Sequence, residues 1–258
     1  MLSPAATQLL AICVLSLIGL GLVIWAVIRI RRSLFTPAQT VLYALLYVIV
    51  RILWRAEIVG RLPIPIGQGA VVVCNHRGPL DSFSVTLTVD RLVHWMVARE
   101  YCVHPAFGWF LRISGVIPVG RLGIDTAATK LAIRYAQEGE LVGLFPEGRI
   151  NTTNELLASG RPGAAMIALK ARVPVVPCYI AGSPYDGTVW GCLFMPAKIR
   201  LKVGQPLDLT EYYGRDNDRE VLEHLTRQFL IEIAKLAGCP DFQPKLAGRF
   251  YKPGLAED

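Results

Sequence analysis

The chain has 258 residues and a formal net charge of +7, and 53% of its residues are hydrophobic. This length suits one sizeable domain with an appendage, because two equal domains would each be small. The charge does not indicate nucleic acid as a partner, since the chain after residue 61 contains no Lys/Arg run and no nucleic-acid-binding fingerprint. The six cysteines are scattered without a CxxC pair, which predicts reduced thiols and no metal site.

The first 60 residues predict a membrane anchor. Residues 9–28 contain no charged side chain. A helix of this length can cross a bilayer core of roughly 30 Å. No positive charge precedes this run and no small-residue cleavage site follows it, so an uncleaved transmembrane helix is favoured over a signal peptide. The cluster Arg29, Arg31 and Arg32 then places the remaining chain on the cytoplasmic face of the membrane.

A second apolar run covers residues 37–50 and ends close to Arg51, Trp54 and Arg55. It is short for a membrane span but suits an interfacial or re-entrant helix with the tryptophan and arginines at the headgroups. A core helix of the folded domain fits the same pattern equally well. The prolines and glycines at 63–69 mark the start of that domain, which we expect to cover residues 61–258.

The domain is predicted to be α/β, with a mixed, largely parallel sheet flanked by helices. Short apolar runs bounded by turn residues predict six strands, at residues 70–74, 93–98, 116–119, 141–145, 173–180 and 199–203. Helical spacing of apolar residues predicts helices at 125–138, 163–172 and 218–237.

The run VVVCNHRGPLDS, residues 71–82, is the first candidate for chemistry. Where the strand ends, Asp81 can accept a hydrogen bond from one imidazole nitrogen of His76 and leave the other nitrogen to take a proton. This pair would form a general base without a protein nucleophile. Cys74 offers an alternative, because a thiol two residues from His76 can act as a nucleophile, although a thiol buried in the strand fits the pattern better.

The run FPEGR, residues 145–149, also follows a buried strand. In a parallel sheet it would emerge at the same edge as His76, where ligands bind. Gly148 permits close backbone approach, Arg149 offers a forked donor for a phosphate, and Glu147 can orient Arg149 or a substrate hydroxyl.

Two more arginines are candidates for phosphate binding. Arg121 follows the predicted strand 116–119, and Arg161 lies just before the predicted helix 163–172. A helix N-terminus favours anions, which makes Arg161 suitable for phosphate.

Together these motifs resemble the glycerolipid acyltransferase family, most closely the 1-acyl-sn-glycerol-3-phosphate acyltransferases. The NHxxxxD block is complete as Asn75, His76 and Asp81, and residues 145–149 correspond to the third block. The second block is matched by Arg99, Pro105, Gly108 and Arg121, and the VPxxP block by residues 173–177. The chain departs from the family in lacking the threonine usually found between Gly148 and Arg149, and in having Arg99 where lysine is common.

The resemblance implies acyl transfer from acyl-CoA or acyl carrier protein to 1-acyl-sn-glycerol 3-phosphate, with no metal and no further cofactor. His76 and Asp81 would be catalytic, while Asn75, Glu147, Gly148, Arg149, Arg121 and Arg161 would contact the substrate. Backbone N–H groups near Gly148 would stabilise the oxyanion. The alternatives are another lysolipid acceptor, such as a lysophospholipid or lyso-ornithine lipid, a membrane-anchored hydrolase that uses Cys74 or a metal, and a non-enzymatic scaffold.

Overall fold

The structure is a computed structural model that describes residues 34–120 and 125–248, together with Val14, Ser16, Leu17 and Gly21. The predicted transmembrane segment, residues 9–28, thus lies almost wholly outside the described residues and stays a prediction. Within the described part of the chain, no helix has both the length and the apolar character needed to cross a membrane.

Within these residues, seven strands form one sheet in the order β1-β7-β6-β2-β5-β3-β4. Neighbouring strands run parallel, except that β6 and β7 are antiparallel. The predicted α/β class with a mixed, largely parallel sheet is therefore confirmed. The strands are β1 (Glu57–Val59), β2 (Ala70–Cys74), β3 (Val93–Ala98), β4 (Ile117–Val119), β5 (Leu141–Leu144), β6 (Val175–Ala181) and β7 (Arg200–Val203).

Both faces of the central strand β2 are buried, because Val71 and Val73 pack into one apolar cluster while Val72 and Cys74 pack into another. This explains why β2 is continuously apolar rather than alternating. The helices are α1 (Pro37–Val48), α2 (Asp81–Thr86), α3 (Arg99–Val103), α4 (Gly108–Ile113), α5 (Thr126–Gln137), α6 (Gly163–Ala171) and α7 (Arg219–Ala237). Helices α5, α6 and α7 supply buried side chains to the cluster that contains Val71.

Helix α1 is the second apolar run of the sequence. It starts with a capping box between Thr36 and Gln39, and it buries Leu42 and Leu46 against α2 and α4. Its other face is apolar but exposed, with Val41 at 69% and Leu45 at 56%. The helix therefore has one packed face, as a core helix would, and one exposed apolar face, as an interfacial helix would.

The segment between α1 and the predicted start of the domain at residue 61 is part of the folded core. A π-helical turn at Ile49–Leu53 leads to Trp54, whose buried indole donates a hydrogen bond of 3.1 Å to the carbonyl of Cys192. Strand β1 then pairs with β7 at the edge of the sheet. The division into residues 1–60 and 61–258 stays a prediction.

Candidate active site

The two main motifs meet at the carboxyl edge of the sheet. Strands β2 and β5 are parallel neighbours, with Val73 beside Leu144, so the residues that follow them emerge together. The backbone N–H of His76 donates a hydrogen bond of 2.8 Å to Oε1 of Glu147. This is the arrangement that a parallel sheet predicts for sites at strand ends.

His76 and Asp81 form the pair that the sequence predicts. Nδ1 of the partly exposed His76 lies 3.1 Å from Oδ2 of Asp81, whose side chain is 1% exposed. The same oxygen accepts hydrogen bonds from the backbone N–H groups of Arg77, at 2.5 Å, and Gly78, at 2.7 Å. The carboxylate is thereby held in place, and it directs the proton of the neutral imidazole to Nδ1, so that Nε2 is the nitrogen that can accept one.

The ring of His76 is held by an aromatic stack that the sequence reasoning missed. Phe145 lies parallel to the imidazole, with ring centroids 3.8 Å apart and planes 4° apart. Trp95 stacks on the other side of Phe145 at 4.8 Å, and its indole N–H donates to Oγ1 of Thr86 at 3.2 Å. The position of Phe145 at the start of the FPEGR run was the available signal.

Glu147 is buried beside His76. The residue is 2% exposed, its Oε1 accepts a hydrogen bond of 2.8 Å from the backbone N–H of His76, and its Oε2 accepts one of 2.7 Å from the backbone N–H of Ala158. Burial raises the pKa of Glu147, although the two backbone hydrogen bonds and the nearby His76 and Arg77 act in the opposite direction. Glu147 therefore braces the backbone at His76, and its predicted contact with the substrate stays a prediction.

Asn75 is a second buried polar residue at the end of β2, and its predicted contact with the substrate stays a prediction. It is 1% exposed, its Nδ2 donates to the carbonyl of Ile180 at 2.8 Å, and its Oδ1 accepts from the N–H of the same residue at 2.7 Å. Both ends of the amide are thus used by the backbone of β6. The side chain ties the end of β2 to β6 and positions the neighbouring His76.

Gly148 and Arg161 are brought together. Gly148 has φ +70°, and a Cβ added there would lie 3.0 Å from Nε of Arg161, whose backbone N–H donates to Pro146 at 2.9 Å. The N–H of Gly148 itself donates to the carbonyl of Phe145 at 3.0 Å, so that group is occupied by the turn rather than directed at an oxyanion. Arg149 follows with an exposed side chain.

Arg121 lies outside the described residues, as do residues 122–124, but Gly120 and Asp125 on either side of them are described. Oδ2 of Asp125 accepts hydrogen bonds of 2.9 Å from the N–H of Gly120 and from the guanidinium of Arg99. The backbone hydrogen bonds from Ala128 and Gly120 lower the pKa of Asp125, and the charge of Arg99 acts in the same direction. The ends of the segment that carries Arg121 are therefore held beside Arg99.

Cys74 does not have the properties of a nucleophile. It is fully buried in β2, and burial raises the pKa of its thiol well above the ordinary value. Since the thiolate is the reactive form, a higher pKa suppresses nucleophilic attack. The geometry supports a packing role for Cys74.

Comparisons with known proteins agree with this geometry. The acyltransferase family model matches residues 55–181. The 1-acyl-sn-glycerol-3-phosphate acyltransferase of Bacillus subtilis is 33% identical over 152 residues, which cover 58% of this chain and 72% of that protein. The enzyme of the same name from Streptococcus pneumoniae is 24% identical, over 66% of this chain and 61% of that protein.

The fold also matches a solved structure. The crystal structure of the 1-acyl-sn-glycerophosphate acyltransferase PlsC from Thermotoga maritima superposes with a TM-score of 0.52 at 24% identity, covering 67% of this chain and 69% of that chain. The chain belongs to the glycerolipid acyltransferase family. It is an acyltransferase enzyme, as the resemblance of its motifs implies.

Proposed function

We propose that the enzyme transfers a fatty acyl group from acyl-CoA or acyl carrier protein to the free hydroxyl of 1-acyl-sn-glycerol 3-phosphate, giving phosphatidic acid. The observation that carries this proposal is the contact of 3.1 Å between Nδ1 of His76 and Oδ2 of Asp81. This pair can act as a general base, and the thiol of Cys74 next to it is buried with a raised pKa, which suits direct attack by a substrate hydroxyl. The names of the bacterial relatives support the choice of acceptor.

In the proposed reaction, Nε2 of His76 removes the proton of the acceptor hydroxyl as its oxygen attacks the thioester carbonyl. The new C–O bond forms, the C–S bond breaks, and the thiolate leaves with the proton that His76 returns. General-base help of this kind contributes about 10²–10⁴-fold to the rate. Asp81 keeps the ring in the tautomer that the step needs.

The phosphate of the acceptor would be held by arginines at the strand ends. Arg149 follows β5 and is exposed, and Arg161 packs beside Gly148 just ahead of α6. We place Arg121, which follows β4, with them. Forked guanidinium donors suit a phosphate headgroup because they can form two parallel hydrogen bonds.

We also propose that the enzyme works on the cytoplasmic face of the membrane. The exposed apolar face of α1 is followed closely by Arg51 and Arg55, which suits a bilayer with anionic headgroups. A lysolipid partitions into such a bilayer, so an enzyme at the interface can meet it there.

The proposal is tested by measuring release of free thiol from acyl-CoA and acyl carrier protein by the purified protein in detergent. We expect release only with 1-acyl-sn-glycerol 3-phosphate, and phosphatidic acid as the product by mass spectrometry. Thiol release with a lysophospholipid or a lyso-ornithine lipid instead would show that the acceptor is a different lysolipid, while the proposed acyl transfer would stand. Equal release without any acceptor would contradict acyl transfer and indicate a hydrolase.

A further inference from the structure

A polar groove of about 550 Å³ opens beside the base. One wall is the loop of residues 151–153, the other is the end of β6 with the turn of residues 182–187, and Arg77 lies between them. Its volume falls within the roughly 300–1,000 Å³ of small-molecule sites in proteins. No residue predicted to contact the substrate lines this groove.

The groove is next to the reacting centre. Arg77 directly follows His76, and the N–H of Asn151 donates a hydrogen bond of 2.8 Å to the carbonyl of His76. Strand β6 lies beside β2 on the side away from β5. A ligand in the groove would therefore lie between the end of β6 and the loop that follows the FPEGR motif, next to the backbone of His76.

Both walls are fixed to the protein. The guanidinium of Arg77 donates to four backbone carbonyls of one loop, with distances of 3.1 Å to Asn151, 2.9 Å to Thr153, 2.5 Å to Glu155 and 3.1 Å to Leu156. The other wall continues from Ile180, which the buried Asn75 holds by two hydrogen bonds. Preorganised walls of this kind lower the entropy cost of binding a ligand.

The chemistry of the two sides differs. Arg99 follows β3 and Arg149 follows β5, and both strands lie on the side of β2 away from β6. That side suits an anionic headgroup. The groove on the β6 side is lined by hydroxyl groups, such as those of Thr153, Tyr179 and Tyr185, and by backbone, and Arg77 provides its positive charge.

We propose that this groove binds the phosphopantetheine arm of the acyl donor, which carries the thioester to His76 while the acceptor headgroup lies at the arginines that follow β3 and β5. Neutral hydroxyl and backbone groups match the two amides of the arm. The arm is common to acyl-CoA and acyl carrier protein, so one groove serves either donor. This proposal rests on the proposed acyl transfer.

The test compares two tryptophan substitutions in the same loop. Thr152 lines the groove and is exposed, whereas Asn154 is exposed and lies outside the lining. In Thr152→Trp the indole occupies the groove, and we expect the KM for the acyl donor to rise at least tenfold with the KM for the acceptor unchanged. Asn154→Trp should keep both KM values, and thermal unfolding should show that both variants are folded.

The outcomes separate the groove from the reaction itself. Wild-type protein that transfers no acyl group would refute the proposed function. Active protein in which the two variants have equal donor KM values, or in which Thr152→Trp raises the acceptor KM instead, would overturn the groove proposal alone. A rise seen with acyl-CoA but not with an acyl carrier protein that the enzyme also uses would overturn the assignment to the shared arm.

Discussion

At the scale of single residues, the imidazole of His76 is constrained from three directions. Asp81 holds Nδ1 at 3.1 Å, Phe145 covers one ring face at 3.8 Å, and Glu147 accepts the backbone N–H at 2.8 Å. The three contacts act on different degrees of freedom: the tautomer, the ring rotation and the backbone position. A base held in this way is ready to act without reorganisation.

The stacked ring makes a first prediction. Phe145→Leu should lower kcat about tenfold with little change in either KM, because a stacked pair contributes about 0.5–1.5 kcal/mol and a tenfold rate change corresponds to about 1.4 kcal/mol. Steady-state kinetics measure this. Phe110→Leu is the matched control, since Phe110 packs on Phe83 at 4.8 Å and away from His76. Equal losses in the two variants would show that Phe145 acts only through stability.

The raised pKa of Glu147 makes a prediction about stability. A carboxyl whose pKa is raised in the folded state stabilises the fold below its ordinary pKa of about 4.3, and this contribution is lost as the pH rises through the raised value. The advantage of wild type over Glu147→Gln in the free energy of unfolding should therefore shrink as the pH rises above about 4. Denaturant titrations at several pH values measure it, and an advantage that grows with pH would contradict the direction of the shift.

At the scale of elements, the sequence predicts the helices with a clear apolar period and the strands with a clear apolar run, and it misses the elements that have neither. The bounds of β2 and β3 agree with the prediction, and the long helices α5 and α7 begin after the capping residues Asp125 and Asp218. Helices α2, α3 and α4 were not predicted, because helices of five or six residues are too short to show a helical period. Strand β1 was missed because its three residues, Glu57–Val59, do not form an apolar run.

The roles of the site residues divide in the same way. His76 and Asp81 are five positions apart within one turn, so local sequence is enough to pair them. Asn75 and Glu147 bind backbone groups of Ile180 and His76, which are 105 and 71 positions away. A backbone N–H or carbonyl is present at almost every residue, so the sequence does not show which backbone groups Asn75 and Glu147 bind.

The contact between β5 and β3 makes a prediction at this scale. Gly143 lies opposite Trp95, and a Cβ added there would come within 2.5 Å of the indole ring. Gly143→Ala should displace Trp95 and with it Phe145, and it should destabilise the fold by about 1–3 kcal/mol as overpacking does. Thermal and denaturant unfolding measure this. The control is Gly163→Ala at the start of α6, where a Cβ meets no atom within 4 Å; equal stability of the two variants would contradict the packing account.

At the scale of the whole molecule, helix α1 has one apolar face that is not packed against the rest of the domain. Leu42 and Leu46 anchor the helix, while Val41 and Leu45 face outward. The carboxyl edge of the sheet carries His76 after β2 and Arg149 after β5. Membrane association through α1 would therefore bring the site to a lipid substrate without a change in the domain itself.

This arrangement predicts the response of vesicle binding to surface charge. Val41→Asp combined with Leu45→Asp should reduce sedimentation with anionic phospholipid vesicles several-fold, because a carboxylate opposes burial in the interface. Ile66→Asp is the matched control, since Ile66 is 77% exposed in the loop before β2, at the opposite edge of the sheet. If the double variant sediments with the vesicles as wild type does, α1 does not mediate membrane binding.

The most direct test of the central claim, that His76 is the general base, is thiol release from the acyl donor by wild type and His76→Ala, with and without the lysolipid acceptor. We expect wild type to release thiol only with the acceptor, and His76→Ala to lose about 10²-fold or more of this rate while its thermal unfolding shows a folded protein. A folded His76→Ala protein that releases thiol at the wild-type rate would contradict the account.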